Sequence, residues 1–147
     1  MLINKKALKD YSIVKTFQAG IVLFGFEVKS IKQGRGDISS SYGVYHQGEV
    51  WLLNFNIPPY QNKNVPLDWQ SDRPKKLLLK KKEITQIAGY LEQKYVIIPL
   101  KVYLERNLVK IDIAIAKPLK KYEKREKIKK REFQRQKERA LKGKIFY

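Results

Sequence analysis

The chain has 147 residues, with 32 Lys/Arg against 14 Asp/Glu, a formal net charge of +18, and no cysteine. That length suits one domain plus an extension, and the missing cysteines exclude a disulfide framework, a thiolate metal site and a cysteine nucleophile. The opening MLINKKALKDY lacks a signal peptide's apolar run, and no stretch approaches the ~20 apolar residues of a membrane span, so a soluble, cytoplasmic protein without a membrane partner is expected.

In chain order, Asn4 to Lys9 reads as a short basic lead, and Tyr11 to Phe17, rich in β-branched and aromatic residues, as a strand. Ala19-Gly20 is a place for a bend, with Ile21 to Phe24 continuing as a buried strand. Val28 and Ile31 lie three apart in Glu27–Gln33, on one face of a short helix that Gly34 would cap. A strand is the alternative there, because Phe26, Val28 and Ser30 alternate. Gly34-Arg35-Gly36-Asp37 is a basic loop. Tyr42 to His46 and Glu49 to Ile57 form a hairpin around Gln47-Gly48, with Trp51, Leu53, Phe55 and Ile57 on one face.

Pro58-Pro59 ends that strand, and Gln61 to Pro74 reads as a long polar loop, the expected mobile part of the body. Leu77-Leu78-Leu79 before Lys80-Lys81-Lys82 opens a second helix, with Ile84, Ile87, Ala88 and Leu91 at helical spacing. Tyr95 to Tyr103, with Val96, Ile98, Leu100 and Val102 inward, turns at Glu105-Arg106-Asn107. It returns as Leu108 to Ala116, with Val109, Ile111, Ile113 and Ile115 inward, each strand keeping one wet face. Five or six antiparallel strands in residues 1–116 with two short helices predict a mainly β, OB-like antiparallel barrel, whose closure hides sheet edges. A two-layer α+β sandwich is the second choice.

Residues 117–147 are a separate cationic tail, with fourteen Lys/Arg and four Glu. Its composition favours helix, but Tyr122, Ile128, Phe133, Ala140 and Leu141 do not repeat often enough to make a core-facing stripe. The tail is therefore expected to be loose alone and helical on a polyanion. The body is basic too, so both parts point to nucleic acid.

Little in the sequence suggests catalysis. His46, the one histidine, sits at a strand end and reads as a surface residue; Asp37, Asp68, Asp72 and Asp112 are scattered without ligand-like spacing. Gly34-Arg35-Gly36 lacks the Gly-Lys-Ser/Thr ending of a phosphate-binding loop. The chain reads as a non-enzyme without cofactor or metal. Arg35, Lys75, Lys76, Lys80, Lys81 and Lys82 are candidate phosphate contacts or simply solvated cations, and exposed aromatics offer stacking surfaces for unpaired bases.

An ordered series of short motifs says more. Asn4-Lys5-Lys6-Ala7, Asp10-Tyr11, Ala19-Gly20-Ile21-Val22-Leu23, Glu27-Val28-Lys29-Ser30-Ile31, Ser41-Tyr42, Gly48-Glu49-Val50-Trp51-Leu52, Lys76-Leu77-Leu78-Leu79, Pro99-Leu100-Lys101 and Lys120-Lys121-Tyr122-Glu123-Lys124-Arg125 together resemble the small protein B (SmpB) family over essentially the whole chain. The resemblance implies an OB-like body that binds the tRNA-like domain of transfer-messenger RNA as a monomer. It also implies a tail that enters the decoding centre of a stalled ribosome in place of a codon–anticodon pair.

By position, the implied RNA-binding residues are Asn4, Lys5, Lys6, Gln18, Lys29, Lys32, Arg35, Gly36, Lys76 and Leu78, with Leu78 equally readable as core. The implied tail residues are Tyr122, Glu123, Lys124, Arg125, Lys129, Lys130, Phe133 and Leu141. Gln18 stands where the family usually has Glu, exchanging a charge-assisted acceptor for a neutral one. Glu123-Lys124-Arg125 departs from the family's Asp-Lys-Arg by one methylene. A ribosomal protein or other rRNA-binding OB protein is the alternative within binding modules, and an RNA-processing enzyme the alternative outside them.

Overall fold

The computed structural model describes residues 1–60 and 65–145, the side chains at 121, 122 and 140–145 excepted. Among the described residues, seven strands and four helices follow in the order β1 (Leu2–Ile3), α1 (Lys5–Asp10), β2 (Tyr11–Ile21), α2 (Gly25–Lys32), β3 (Tyr42–His46), β4 (Glu49–Leu53), β5 (Lys75–Leu78), α3 (Lys81–Glu92), β6 (Val96–Glu105), β7 (Leu108–Pro118) and α4 (Lys121–Ile145). All strand pairs are antiparallel. The strands run β6-β3-β4-β5-β2-β7, and β7 pairs back with β6, so six strands close a barrel while β1 adds to the edge of β6. This is the OB-like barrel expected from the sequence.

The barrel interior is filled by Phe17, Ala19 and Ile21 of β2, Val50 and Leu52 of β4, Leu77 of β5, and Val109, Ile111, Ile113 and Ile115 of β7. Ile31 of α2 and Ile87 of α3 plug into the same cluster. Ile84 and Leu91 pack against it beside Ile87, as their helical spacing requires. Both two-residue hairpin turns use the left-handed conformations that fit strand twist: Gln47 and Gly48 (φ 51 and 79), and Arg106 and Asn107 (φ 51 and 65).

Several expectations shift. The lead is a helix, α1, because the Asn4 Oδ1 accepts from Ala7 N (3.3 Å) as an N-cap. Ala19-Gly20 does not bend the chain; β2 runs on to Ile21, and its irregularity lies between Ile13 and Lys15. Leu77 and Leu78 belong to β5, not to a helix, which starts only at Lys81. In β4 the fully buried pair is Val50 and Leu52 rather than Trp51 and Leu53; Asn54 (φ 58) then breaks the alternation, which lets Phe55 and Ile57 return inward.

β6 is also split in phase. A register shift between Pro99 and Lys101 leaves Ile97 and Val102 in the barrel, while Val96, Ile98 and Leu100 face a second cluster. That cluster, with Ala7 of α1 and Ala114 and Ala116 of β7, means the outer faces of β6 and β7 are not wet there. Small alanines on β7 leave room for α1 to lie close.

The long loop is held where it is described. Glu27, fully buried, accepts from Phe24 N (2.7 Å), Trp69 Nε1 (3.3 Å) and Arg73 Nε (3.1 Å), and pairs with Arg73 Nη2. The Arg73 guanidinium also lies 4.4 Å from the Phe24 ring centroid. The part of the expected mobile loop at 61–64 lies outside the described residues.

The tail forms one helix, α4. Its first turns rest on α1: Lys124 pairs with Asp10 (3.4 Å), Lys127 Nζ donates to Tyr11 O (3.1 Å) and Arg131 donates to Leu8 O (3.2 Å). Burial at that contact holds Lys127 below the usual lysine range, helped by Arg131. The first turns of the tail thus have a local partner in the Tyr11 backbone and in α1, a helix that the reading of residues 4–9 as a plain basic lead did not supply. β7 also runs to Pro118, two residues past the expected division at 116, and Leu119 N donates to Asp10 O (2.8 Å).

Candidate nucleic-acid interface

A cleft of about 630 Å³ lies where β2, β5 and the start of α3 meet. Gln18 and Gly20 come from β2, Lys76, Leu77 and Leu78 from β5, and Lys80 and Glu83 from the start of α3. Its geometry follows from one pairing: Gly20 sits opposite Leu78 in the β2–β5 ladder. A Cβ at Gly20 would lie 3.2 Å from the Leu78 Cβ, so glycine lets the leucine lie across β2. Leu78 is 53% exposed while its neighbour Leu77 is 2% exposed. Strand alternation thus assigns Leu77 to the core and Leu78 to the surface, so Leu78 is not a core residue.

Cations flank the apolar floor. Lys76 reaches Glu49 across β4 (3.0 Å), with both side chains partly exposed, so little is lost if an anion takes the lysine away. Lys110, opposite Gly20 on β7, also lines the cleft. Gln18 is tied to β6: its Nε2 donates to Tyr103 Oη (2.6 Å) and to Glu105 Oε2 (2.7 Å). Tyr103 Oη in turn donates to Asp112 Oδ1 (2.8 Å). Burial, then the Asp112 bond, pushes the Tyr103 phenol up, so it stays a donor to Asp112 and an acceptor from Gln18. These partners fix the orientation of the amide. They leave the Gln18 carbonyl to accept from an incoming donor, with the Glu105 carboxylate beside it.

The cleft therefore unites Gln18, Lys76 and Leu78. It does not include the other expected residues. Asn4 is buried and spent on structure, with Nδ2 donating to Pro99 O (2.9 Å) as Oδ1 caps α1. Gly36 (φ 139) fits tightly between Leu2 and Phe55, where a Cβ would lie 2.9 Å from Leu2 Cδ1. Lys5 and Lys6 on α1, Lys29 and Lys32 on α2, and Arg35 after it are exposed cations. Lys29 Nζ lies 5.6 Å from the Tyr60 ring centroid. Lys6 is close enough to Asp37 to help hold that carboxyl low, though bonds from Ser39 contribute more.

Lys75 is a correction. It is not a phosphate contact: fully buried, its Nζ donates to Phe55 O (2.7 Å), Arg73 O (2.9 Å) and Ser71 O (3.3 Å), and burial pulls its pKa down to about 8. The run Lys75-Lys76 alternates inside and outside on β5, a strand that the sequence reading, with its loop to Pro74 and its helix from Leu77, did not contain. Lys110, Glu105, Tyr103 and Asp112 were not expected at a site. Only the strand register that sets Gln18 opposite Asp112 brings them there.

On α4, Glu123, Arg125, Lys129 and Lys130 are exposed and Lys124 is half-buried against Asp10. Phe133 is 68% exposed. The side chains of Tyr122 and Leu141 lie outside those described. Beyond its first turns the helix presents cations and an isolated aromatic ring, a surface made for a polyanion.

A family model described as SmpB protein matches residues 1–143. A protein of Thermosipho melanesiensis named SsrA-binding protein is 49% identical over 95% of this chain and 96% of its own length. One of the same name from Geobacillus kaustophilus is 45% identical over 94% and 89%. A solved structure described as "tmRNA-SmpB: a journey to the center of the bacterial ribosome" superposes with a TM-score of 0.67 at 35% identity, covering 86% of this chain and 93% of that one.

Proposed function

Because this chain belongs to the SmpB protein family, we propose that it binds transfer-messenger RNA (SsrA RNA, tmRNA) and delivers it to stalled ribosomes in the cytoplasm. The barrel grips the tRNA-like domain. Lys76, Lys80 and Lys110 meet phosphates, Leu78 packs against ribose and base, and the Gln18 carbonyl with Glu105 accepts from donors on the RNA. Helix α4 enters the ribosomal decoding centre, where Lys124, Arg125, Lys129 and Lys130 meet rRNA phosphates and Phe133 offers a stacking face. The role is binding and positioning, not catalysis.

The observation that carries this reading is the continuous match across both the barrel and the cationic helix, residues 1–143. The exposed Leu78 in its lysine-flanked cleft supports the same division of labour. A peptide-tagging assay on stalled ribosomes lacking their own SmpB tests it. Adding the full chain should restore tagging by tmRNA. A chain that binds tmRNA but never restores tagging would reject the delivery role.

A further inference from the structure

Another cleft, of about 400 Å³, shares no lining residue with the one above. It exists because β3 and β6 pair only at Gly43 and Ile97. A Cβ at Gly43 would lie 2.5 Å from Ile97 Cγ2, so the strands touch there through glycine and splay apart beyond it. The wedge between them is lined by Tyr11, Ser41, Tyr42, Tyr95 and Val96, among others. Its size falls within the range of ligand clefts.

Two observations point to an occupant. Ser41 is 5% exposed, and its hydroxyl has no hydrogen-bond partner among the described residues. A buried hydroxyl without a partner costs free energy that a ligand's polar edge would recover. Second, Tyr42 lines the cleft with its ring exposed, and Lys117, itself exposed, lies beside the cleft with its Nζ 4.5 Å from the Tyr95 ring centroid. An exposed aromatic ring, a buried unpartnered hydroxyl and a lysine beside the cleft match a nucleotide: a base stacked on Tyr42, its edge on Ser41, its phosphate reaching Lys117.

We infer that this cleft captures one unpaired nucleotide of a single-stranded RNA segment, giving the barrel a second RNA contact away from the Gln18–Leu78 cleft. The inference rests on the proposed RNA-binding function. A single-stranded tract bound here leaves the first cleft free, so one RNA, or two segments of it, engages both at once.

The test is NMR on the labelled full chain titrated with mixed-sequence single-stranded RNA hexamers at fixed moderate salt, with tmRNA in a parallel titration. The expected result is saturable shifts at Ser41, Tyr42 and Gly43. Tyr42→Ala should weaken hexamer binding about tenfold, and Ser41→Ala should weaken it with the barrel spectrum unchanged. If Ser41→Ala disturbs the fold, Tyr42→Ala and Lys117→Ala carry the test, since both side chains are exposed. Hexamers that leave Ser41–Gly43 unmoved while tmRNA still shifts Gln18 and Leu78 overturn the second site alone. If tmRNA shifts neither cleft, the proposed function itself fails.

Discussion

Adjacent leucines on β5 offer the sharpest separation of folding from binding. Leu77 is 2% exposed inside the barrel and Leu78 is 53% exposed in the cleft. Leu77→Ala removes a core side chain and leaves a cavity, which costs about 2–5 kcal/mol of stability. Leu78→Ala removes a side chain already half in water, so stability should change by less than about 1 kcal/mol. Its effect falls on the complex instead. Burying a whole leucine is worth about 1.5–3 kcal/mol, and the exposed half that RNA would cover is worth about 1–1.5 kcal/mol.

That is roughly a tenfold rise in Kd for tmRNA. Urea unfolding of both variants, with fluorescence anisotropy of labelled tmRNA at one fixed salt concentration, reads both quantities. If Leu78→Ala destabilises the barrel as much as Leu77→Ala, or keeps full stability and full affinity, the assignment of Leu78 to the interface is wrong.

The buried Lys75 has a pH signature. Its pKa falls from 10.5 to about 8 on folding, so between those values the unfolded chain holds more protons and stability rises with pH, by about 3 kcal/mol in total. Unfolding curves from pH 8 to 10.5 should show this gain for the native chain relative to Lys75→Met; parallel curves would contradict it. Glu27→Ala strands the Arg73 guanidinium, Phe24 N–H and Trp69 Nε1–H, and should cost about 3 kcal/mol. Hydrogen exchange at Trp69 and Arg73 should accelerate with it, and unchanged exchange would show that Glu27 does not hold the loop. Truncation after Lys120, which spares all of β7, should keep most of the tmRNA affinity and abolish peptide tagging. An equal loss of both would erase the distinction between barrel and tail.

The barrel was legible because β7 alternates without interruption: Val109, Ile111, Ile113 and Ile115 all face in, and the Glu105–Asn107 turn joins β6 to β7. Where alternation breaks, the sequence misled. Asn54 and the Pro99–Lys101 shift each move a strand to its other face; an asparagine that tolerates positive φ and a proline inside a strand are the local marks, and the strand reading passed over both. Leu77-Leu78-Leu79 has no period of its own, so neighbours across the sheet decide that Leu77 and Leu78 are strand. Gln18 and Leu78 were named through family motifs rather than physics, and Lys110 and Glu105 come beside them only through register. Asn4 carried a capping signal that was readable from Asn followed by Lys-Lys-Ala. Its burial removes it from the exposed interface and gives it a different job, fixing α1 where α4 docks.

Competition for the full chain tests the account most directly. Labelled tmRNA bound to the protein is displaced by unlabelled tmRNA, an ordinary tRNA or an rRNA fragment, all at one moderate salt concentration. Recognition by the Gln18–Lys76–Leu78 cleft predicts that tmRNA displaces at far lower concentration than either competitor. Equal displacement by all three would reduce the barrel to a generic cationic surface and contradict the assignment.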